Sequence, residues 1–305
     1  MSNRKYSKNK KAQAAEREVE TQNRFSDFIK ENKKMFTVIA AIIIAIILIS
    51  VSLEFNVFKD NSTNSVSIPN PFPWGSFVKI SDNNFSSQIH FYWISWYGCP
   101  IGAANSWGLY LAVQEHIPSI STDITLHTSD PNDAAPGEPG LIFNGPVSNG
   151  NYYFSSYYMY NEYHNATAAG IYIPSNQLVS VGLNEVNSTE PSFISSMIYK
   201  IQTQTASERS TSGKPIAPIG ASGYHLVTAL IITGPNGAYY MQGPAFNLAD
   251  LTTNPSAAYQ YINYQNSAYY ESYVLSPSYV YSNMENIGVI TDYMAEINTI
   301  VGDVS

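Results

Sequence analysis

Residues 36–53 read Phe-Thr-Val-Ile-Ala-Ala-Ile-Ile-Ile-Ala-Ile-Ile-Leu-Ile-Ser-Val-Ser-Leu and carry no charge. As a helix rising about 1.5 Å per residue, such a run is roughly 27 Å long and spans a bilayer core. A secretory signal has a shorter apolar centre and a small-residue cleavage site close to the start of the chain. Here the run follows 35 mostly polar residues, so the spacing predicts an uncleaved anchor over 35–53 rather than a buried core helix. Everything that folds as a globule must therefore lie on one side of it.

Charge orients the anchor. The first 34 residues hold ten of the 15 Lys and Arg, from Arg4 to Lys34. The positive-inside rule makes residues 1–34 a cytoplasmic basic tail and puts the C-terminal part outside the cell membrane. That part keeps only Lys59, Lys79, Lys200, Arg209 and Lys214, against 18 of the 23 Asp and Glu. So acidic a surface has no electrostatic footprint for nucleic acid. All but one of the 24 Tyr lie there, with much Ser, Asn, Gly and Pro. Such side chains solvate a surface without titrating and would suit an acidic exterior. Asn61, Asn84, Asn165 and Asn187 each open an Asn-x-Ser/Thr sequon, as on an exported glycoprotein. A single cysteine excludes a disulfide framework, so an apolar core must hold the external part together.

Residues 54–73 combine a polar run with Pro69, Pro71 and Pro73 and read as a spacer. The folded domain is expected over 74–305. Residues 88–95 have the apolar, β-prone character of a buried strand. Gly98, Cys99 and Pro100 then lead into a helix over 100–116 that Pro118 ends. Residues 120–127 read as a second strand that closes a right-handed β-α-β unit. A stretch of loops and weak elements follows, including the Tyr-rich run 152–160, which suits packing better than a binding platform. A helix is expected over 192–204, and a hairpin from 216–219 and 224–233 around Gly220-Ala-Ser-Gly223. Gly-Pro-Asn-Gly at 234–237 is a further turn, and 286–301 is amphipathic. The order β-α-β, insertion (about 130–212), β-β-α is an α/β class with thioredoxin topology.

The stretches Trp96-Tyr-Gly-Cys-Pro100, Ser106-Trp107, Leu109-Tyr-Leu-Ala112, His127-Thr-Ser-Asp-Pro131, Pro139-Gly-Leu-Ile-Phe143 and Lys214-Pro-Ile-Ala-Pro-Ile-Gly220 carry a resemblance. The chain is similar to an archaeal family of membrane-anchored, thioredoxin-like proteins catalogued as a domain of unknown function. The resemblance covers most of residues 85–252. It implies a Cys-Pro-x-Cys motif whose first thiol is Cys99. Gly102 stands where the second would be, so this chain departs from the pattern. It also implies a cis-proline opposite the thiol, with Pro215 the first candidate and Pro218 and Pro139 the alternatives. Trp96, Pro100, Gly102 and Pro215 would line the substrate groove.

A thiolate at a helix start is stabilised by free N–H groups and the helix dipole, so the junction predicts a lowered pKa for Cys99. A dithiol enzyme attacks with one thiolate and resolves the mixed disulfide with the second, a step Gly102 cannot perform. The five His show no metal-ligand spacing, no phosphate loop is present, and no cofactor or metal is implied. The expected function is binding of extended or unfolded protein segments outside the cell, with membrane lipid contacted through 36–53. A monothiol oxidoreductase using Cys99 and a structural envelope component are the alternatives.

Overall fold

The computed structural model describes residues 67–259 and 270–305. The basic tail, the apolar run 36–53, most of the spacer and Asn61 lie outside the described residues. Among the described residues, no helix is long and apolar enough to cross a membrane. Residues 63–305 form a unit of their own.

Among the described residues, eight strands and six helices carry the fold: β1 (Val78–Ser81), β2 (Ile89–Ser95), α1 (Pro100–His116), β3 (Ile124–Thr128), β4 (Pro139–Phe143), β5 (Val147–Asn149), β6 (Tyr152–Tyr158), α2 (Leu178–Thr189), α3 (Ser192–Ile198), β7 (Ala229–Gly234), β8 (Gly237–Gln242), α4 (Pro255–Ala258), α5 (Pro277–Asn283) and α6 (Gly288–Val304). The architecture is mixed α/β. A six-stranded sheet runs in the order β1-β8-β7-β2-β6-β5. Strand β2 is parallel to β6, from Ile89 beside Tyr152 to Ser95 beside Tyr158, and antiparallel to β7 on its other edge.

Side chains alternate across this sheet, and both faces are covered. Ile89, Phe91 and Trp93 of β2 enter one core with α1 and α6. Tyr92 and Ile94 enter a second core with α2 and α3. A strand buried on both faces reads as a continuous apolar run, which is how β2 looks in sequence. Helix α1 is buried over most of its circumference, because the sheet, α6 and β4 surround it. Its polar side chains serve the chain packed over it. Trp107 Nε1 donates to the Pro139 carbonyl at 2.8 Å, and Ser106 Oγ accepts from Leu141 N at 2.8 Å. Those bonds satisfy backbone groups of β4 that no strand pairs.

The element order differs from the sequence reading in three places. Residues 124–128 do form a strand, but it pairs antiparallel with β4 in a separate two-stranded sheet. The parallel neighbour of β2 is the Tyr-rich β6, with β3, β4 and β5 lying inside the crossover. The hairpin is β7–β8, turned by Pro235-Asn236 between the paired Gly234 and Gly237. Residues 216–224 are turns and irregular chain. The spacer gives way to packed chain before Trp74: Phe72 is fully buried against Tyr240 and bridges Ser207. The expected helix over 192–204 is present as α3 continued by a π-helical turn, Tyr199–Gln204.

Candidate functional site

The site is built at the junction of β2 and α1. Cys99 is the N-cap of α1, with φ −67° and ψ 117°, and its Sγ accepts from Gly102 N at 3.3 Å. Pro100 occupies the first helical position, where no N–H is needed. Gly98 is required by close approach: a Cβ there would overlap the Glu162 carbonyl and the Trp96 indole. Loop 161–164 thereby packs directly onto the turn that carries the thiol. His127 supports it from β3, its Nε2 lying 2.8 Å from the Tyr97 carbonyl and 3.1 Å from Glu162 Oε2.

Two hydroxyls complete the surroundings of the sulfur. Thr228 Oγ1, one residue before β7, donates to Cys99 Sγ at 3.0 Å. Ser95 Oγ, at the end of β2, lies 2.8 Å from Thr228 Oγ1. These hydroxyls fill the space beside Gly102. A Cβ at position 102 would overlap Ser95 Oγ and lie 3.2 Å from Thr228 Oγ1. A side chain at position 102 would therefore find its space already taken by the hydrogen-bonded Ser95 hydroxyl.

The thiol is not lowered in pKa. Burial pushes it up to about 11, against the opposing donors Thr228 Oγ1 and Gly102 N–H. The helix-start donors expected from sequence are present, but in a cysteine residue only 4 % exposed the sulfur loses more hydration as a thiolate than those donors return.

Aromatic rings from three separate segments surround the thiol's neighbourhood. The Trp96 indole is 2 % exposed. Its ring centroid lies 4.9 Å from that of His164 and 5.5 Å from that of His225, both edge-on. The two imidazoles are 4.8 Å apart. Burial lowers the His225 pKa to about 4, and His164 adds to that shift. His164 has a φ of 39°, uncommon for a non-glycine residue. A cavity of about 490 Å³ opens here, with Cys99, Trp74, Asp133, Arg209, His225 and Phe246 among its walls. Burial raises the Asp133 carboxyl, opposed by the Ala134 N–H and His164. Next to the wall residues His164, Gly223 and His225, the exposed Tyr163 and Tyr224 extend an apolar surface outward.

A family profile described as Domain of unknown function (DUF929) matches residues 76–303, which include this whole site. The chain belongs to that family. No curated protein matches the chain, and no solved structure matches it.

Of the residues singled out in sequence, the family domain brings Trp96, Cys99 and Pro100 to the cavity. Gly102 lies beneath them, beside Ser95 and Thr228. Pro215 is not a wall of the cavity and is not cis. The cis peptide bond among the described residues is Asn70-Pro71, so Pro139 and Pro218 are not cis either. The position facing the thiol is held by Thr228, whose hydroxyl donates to sulfur in a way no proline could. Among the sequons, Asn84 and Asn165 are exposed, while the Asn187 amide oxygen accepts from Ser195 Oγ at 3.0 Å. Among the described residues, no three His, Cys, Asp or Glu side chains gather as a metal site. Sequence reasoning missed Ser95, Thr228, His164, His225 and Arg209. A polar residue ending an otherwise apolar strand was the one available signal, and it marks Ser95.

Proposed function

We propose that the chain is a membrane-anchored, extracytoplasmic protein of thioredoxin-like fold that binds extended segments of other proteins and has little dithiol redox activity. The order β6-β2-β7-β8, with one parallel and two antiparallel pairings and a cysteine at the β2–α1 junction, supports the fold reading. The anchor reading rests on the apolar run 36–53 and the basic tail before it. A single observation carries the binding reading. An open, largely apolar cavity lies over a thiol that is buried, raised in pKa and without room for a second cysteine. A surface of that kind holds a chain without exchanging disulfides with it.

The test uses the full chain in lipid nanodiscs and a permanently unfolded, cysteine-blocked protein as probe. Binding is read by fluorescence anisotropy. The expected result is saturable binding that Cys99→Ser leaves unchanged and Phe246→Ala weakens several-fold. Absence of binding overturns the reading.

A monothiol oxidoreductase is the second reading. It is favoured by the two donors on Cys99 Sγ and by the sulfur's place in the cavity wall. It requires a mixed disulfide with glutathione disulfide that Cys99→Ser abolishes. If neither binding nor exchange is found, a structural role in the envelope remains.

A further inference from the structure

The few cations of the described domain are concentrated in one stretch. Residues 200–224 carry Lys200, Arg209 and Lys214 against the single acid Glu208. The rest of the described residues hold one base, Lys79, and fifteen acids. Arg209 and Lys214 are exposed.

The basic stretch lies where the spacer joins the domain. Phe72 N donates to the Ala206 carbonyl at 2.6 Å, and Glu208 N donates to the Phe72 carbonyl at 3.0 Å. Residues 54–71 then separate the apolar run from this point. Eighteen residues reach at most about 62 Å fully extended, and about 23 Å as a flexible coil.

Exposed apolar side chains lie on loops that are hydrogen-bonded to the basic stretch. Ser207 N donates to the Lys214 carbonyl, and Ala217 N donates to the Gln202 carbonyl, which ties loop 214–224 to the basic stretch. Ser175 Oγ and Ser222 Oγ, 2.7 Å apart, tie that loop to the segment after 161–173. These two loops present Ile171 at 68 %, Tyr172 at 74 %, Ile219 at 46 % and Tyr224 at 43 % exposure. Aliphatic and tyrosine side chains beside a few cations are the composition that partitions into a headgroup layer.

We propose that this face, loops 161–173 and 214–224 with Lys200, Arg209 and Lys214, docks on the anionic lipid surface of the membrane that holds the chain. The inference rests on the anchor reading. A short tether keeps the face at high local concentration near lipid, so a weak contact suffices. The face holds Glu162 and Glu208 beside its three cations, and the other fourteen acids of the described residues lie outside it and are repelled by the same lipid, which fixes the orientation. Arg209 and Gly223 are also walls of the cavity, so docking sets the cavity mouth beside the bilayer. Segments bound there would be the membrane-proximal parts of neighbouring proteins. The Asn165 sequon lies in one docking loop. Its Oδ1 accepts from Asn161 Nδ2 at 2.8 Å, and Thr167 is buried, so the folded loop does not offer it for modification.

The test is hydrogen exchange on the full chain in nanodiscs of phosphatidylglycerol or of phosphatidylcholine. The expected result is exchange at least threefold slower in loops 161–173 and 214–224 in the anionic lipid, with the difference removed by 0.5 M NaCl. Lys200→Gln/Lys214→Gln and, separately, Ile171→Ser/Tyr172→Ser should each remove most of it while exchange in β2 and β7 stays unchanged. Equal exchange in the two lipids overturns the docking, as does a glycan found on Asn165 by mass spectrometry. Protection that follows protein concentration instead of lipid charge also overturns it and points to a second copy of the chain. Carbonate extraction separates the anchor from the docking. A chain that resists extraction, with loops indifferent to lipid, keeps the anchor and loses the docking. A chain that is extracted, with loops that still respond to lipid, does the reverse.

Discussion

Placing a second cysteine at position 102 should damage the site before it supplies any dithiol chemistry. Gly102→Cys puts a Cβ onto Ser95 Oγ, in a region where Ser95 is 1 % exposed and Thr228 is 1 % exposed. Overpacking of this kind costs about 1–3 kcal/mol. Displacing Ser95 also breaks its hydrogen bond to Thr228, which adds about 1 kcal/mol in a buried setting. Cysteine is a better helix residue than glycine and returns about 0.4 kcal/mol. The net expectation is a loss of about 2–4 kcal/mol, or roughly 5–12 °C in Tm for a domain of this size.

Ser95→Ala removes the obstructing oxygen, so the double variant Ser95→Ala/Gly102→Cys should recover most of that loss. The Cβ built at 102 lies 3.3 Å from Cys99 Cβ. That is slightly under the ~3.5–4.5 Å found across disulfides, so a small shift allows oxidation to close a 99–102 bond. Thermal denaturation of all three variants measures the coupling, and mass spectrometry after oxidation detects the bond. A Gly102→Cys protein as stable as the parent, or a double variant no better than the single one, would falsify the claim that Ser95 occupies the second thiol's place.

Three further outcomes are expected. Cys99 should resist iodoacetamide at pH 8 in the native protein and label rapidly in urea, because burial raises its pKa to about 11; fast native labelling would show an accessible thiolate. His225 sits near pKa 4 when folded against an ordinary 6.5, so the unfolded chain takes up the proton first as pH falls. Its contribution is present above pH 6.5 and about 3 kcal/mol of it is lost by pH 4, a slope that His225→Phe should abolish in urea titrations. Burial raises the Glu138 carboxyl well above its usual range, with the Tyr270 hydroxyl donating to it at 2.6 Å. Its stabilising effect is therefore present at low pH and lost as pH rises through the folded value; Glu138→Gln should be more stable than the parent at pH 8 and similar at pH 4.

The β2–α1 junction was legible because each of its residues has a local reason to be there. Gly98 permits the turn, Cys99 caps, Pro100 starts the helix and Ile117-Pro118 stops it. What sequence could not show is what the fold brings from afar. Strand β6 was hidden because Tyr152-Tyr-Phe-Ser-Ser-Tyr-Tyr158 lacks an apolar alternation; only Phe154, Ser155 and Tyr158 are buried, and Ser155 faces Glu190 rather than aliphatic side chains. Residues 120–127 were given its place because the first strand after a helix is the usual parallel partner. Their exposure along most of the strand is what marks β3 as a surface element. The raised pKa of Cys99 was likewise out of reach. A local pattern predicts the donors at a helix start, but the hydroxyls gathered beside the sulfur come from the end of β2, as Ser95, and from the segment before β7, as Thr228.

These electrostatics bear on where the domain works. Among the described residues, burial raises every carboxyl with a clear shift: Asp133, Glu138, Glu162, Glu190, Asp250 and Glu296. Each favours the folded state more at low pH than at high pH, which is the reverse of the paired carboxylates whose protonation drives acid denaturation. His225 pulls the other way between about pH 6.5 and 4. The two tendencies oppose each other over a mildly acidic range and flatten the stability profile there. Removing the imidazole should leave the carboxyls unopposed, so His225→Phe is expected to grow more stable as pH falls from 7 to 4. One of these carboxyls, Glu162, lies in docking loop 161–173, and its protonation removes negative charge from that face. Docking on anionic lipid should therefore strengthen as pH falls, and exchange in loops 161–173 and 214–224 measured at pH 4.5 and 7, corrected for intrinsic rates, decides it. Weaker protection at the lower pH would mean that the acidic surface does not oppose docking.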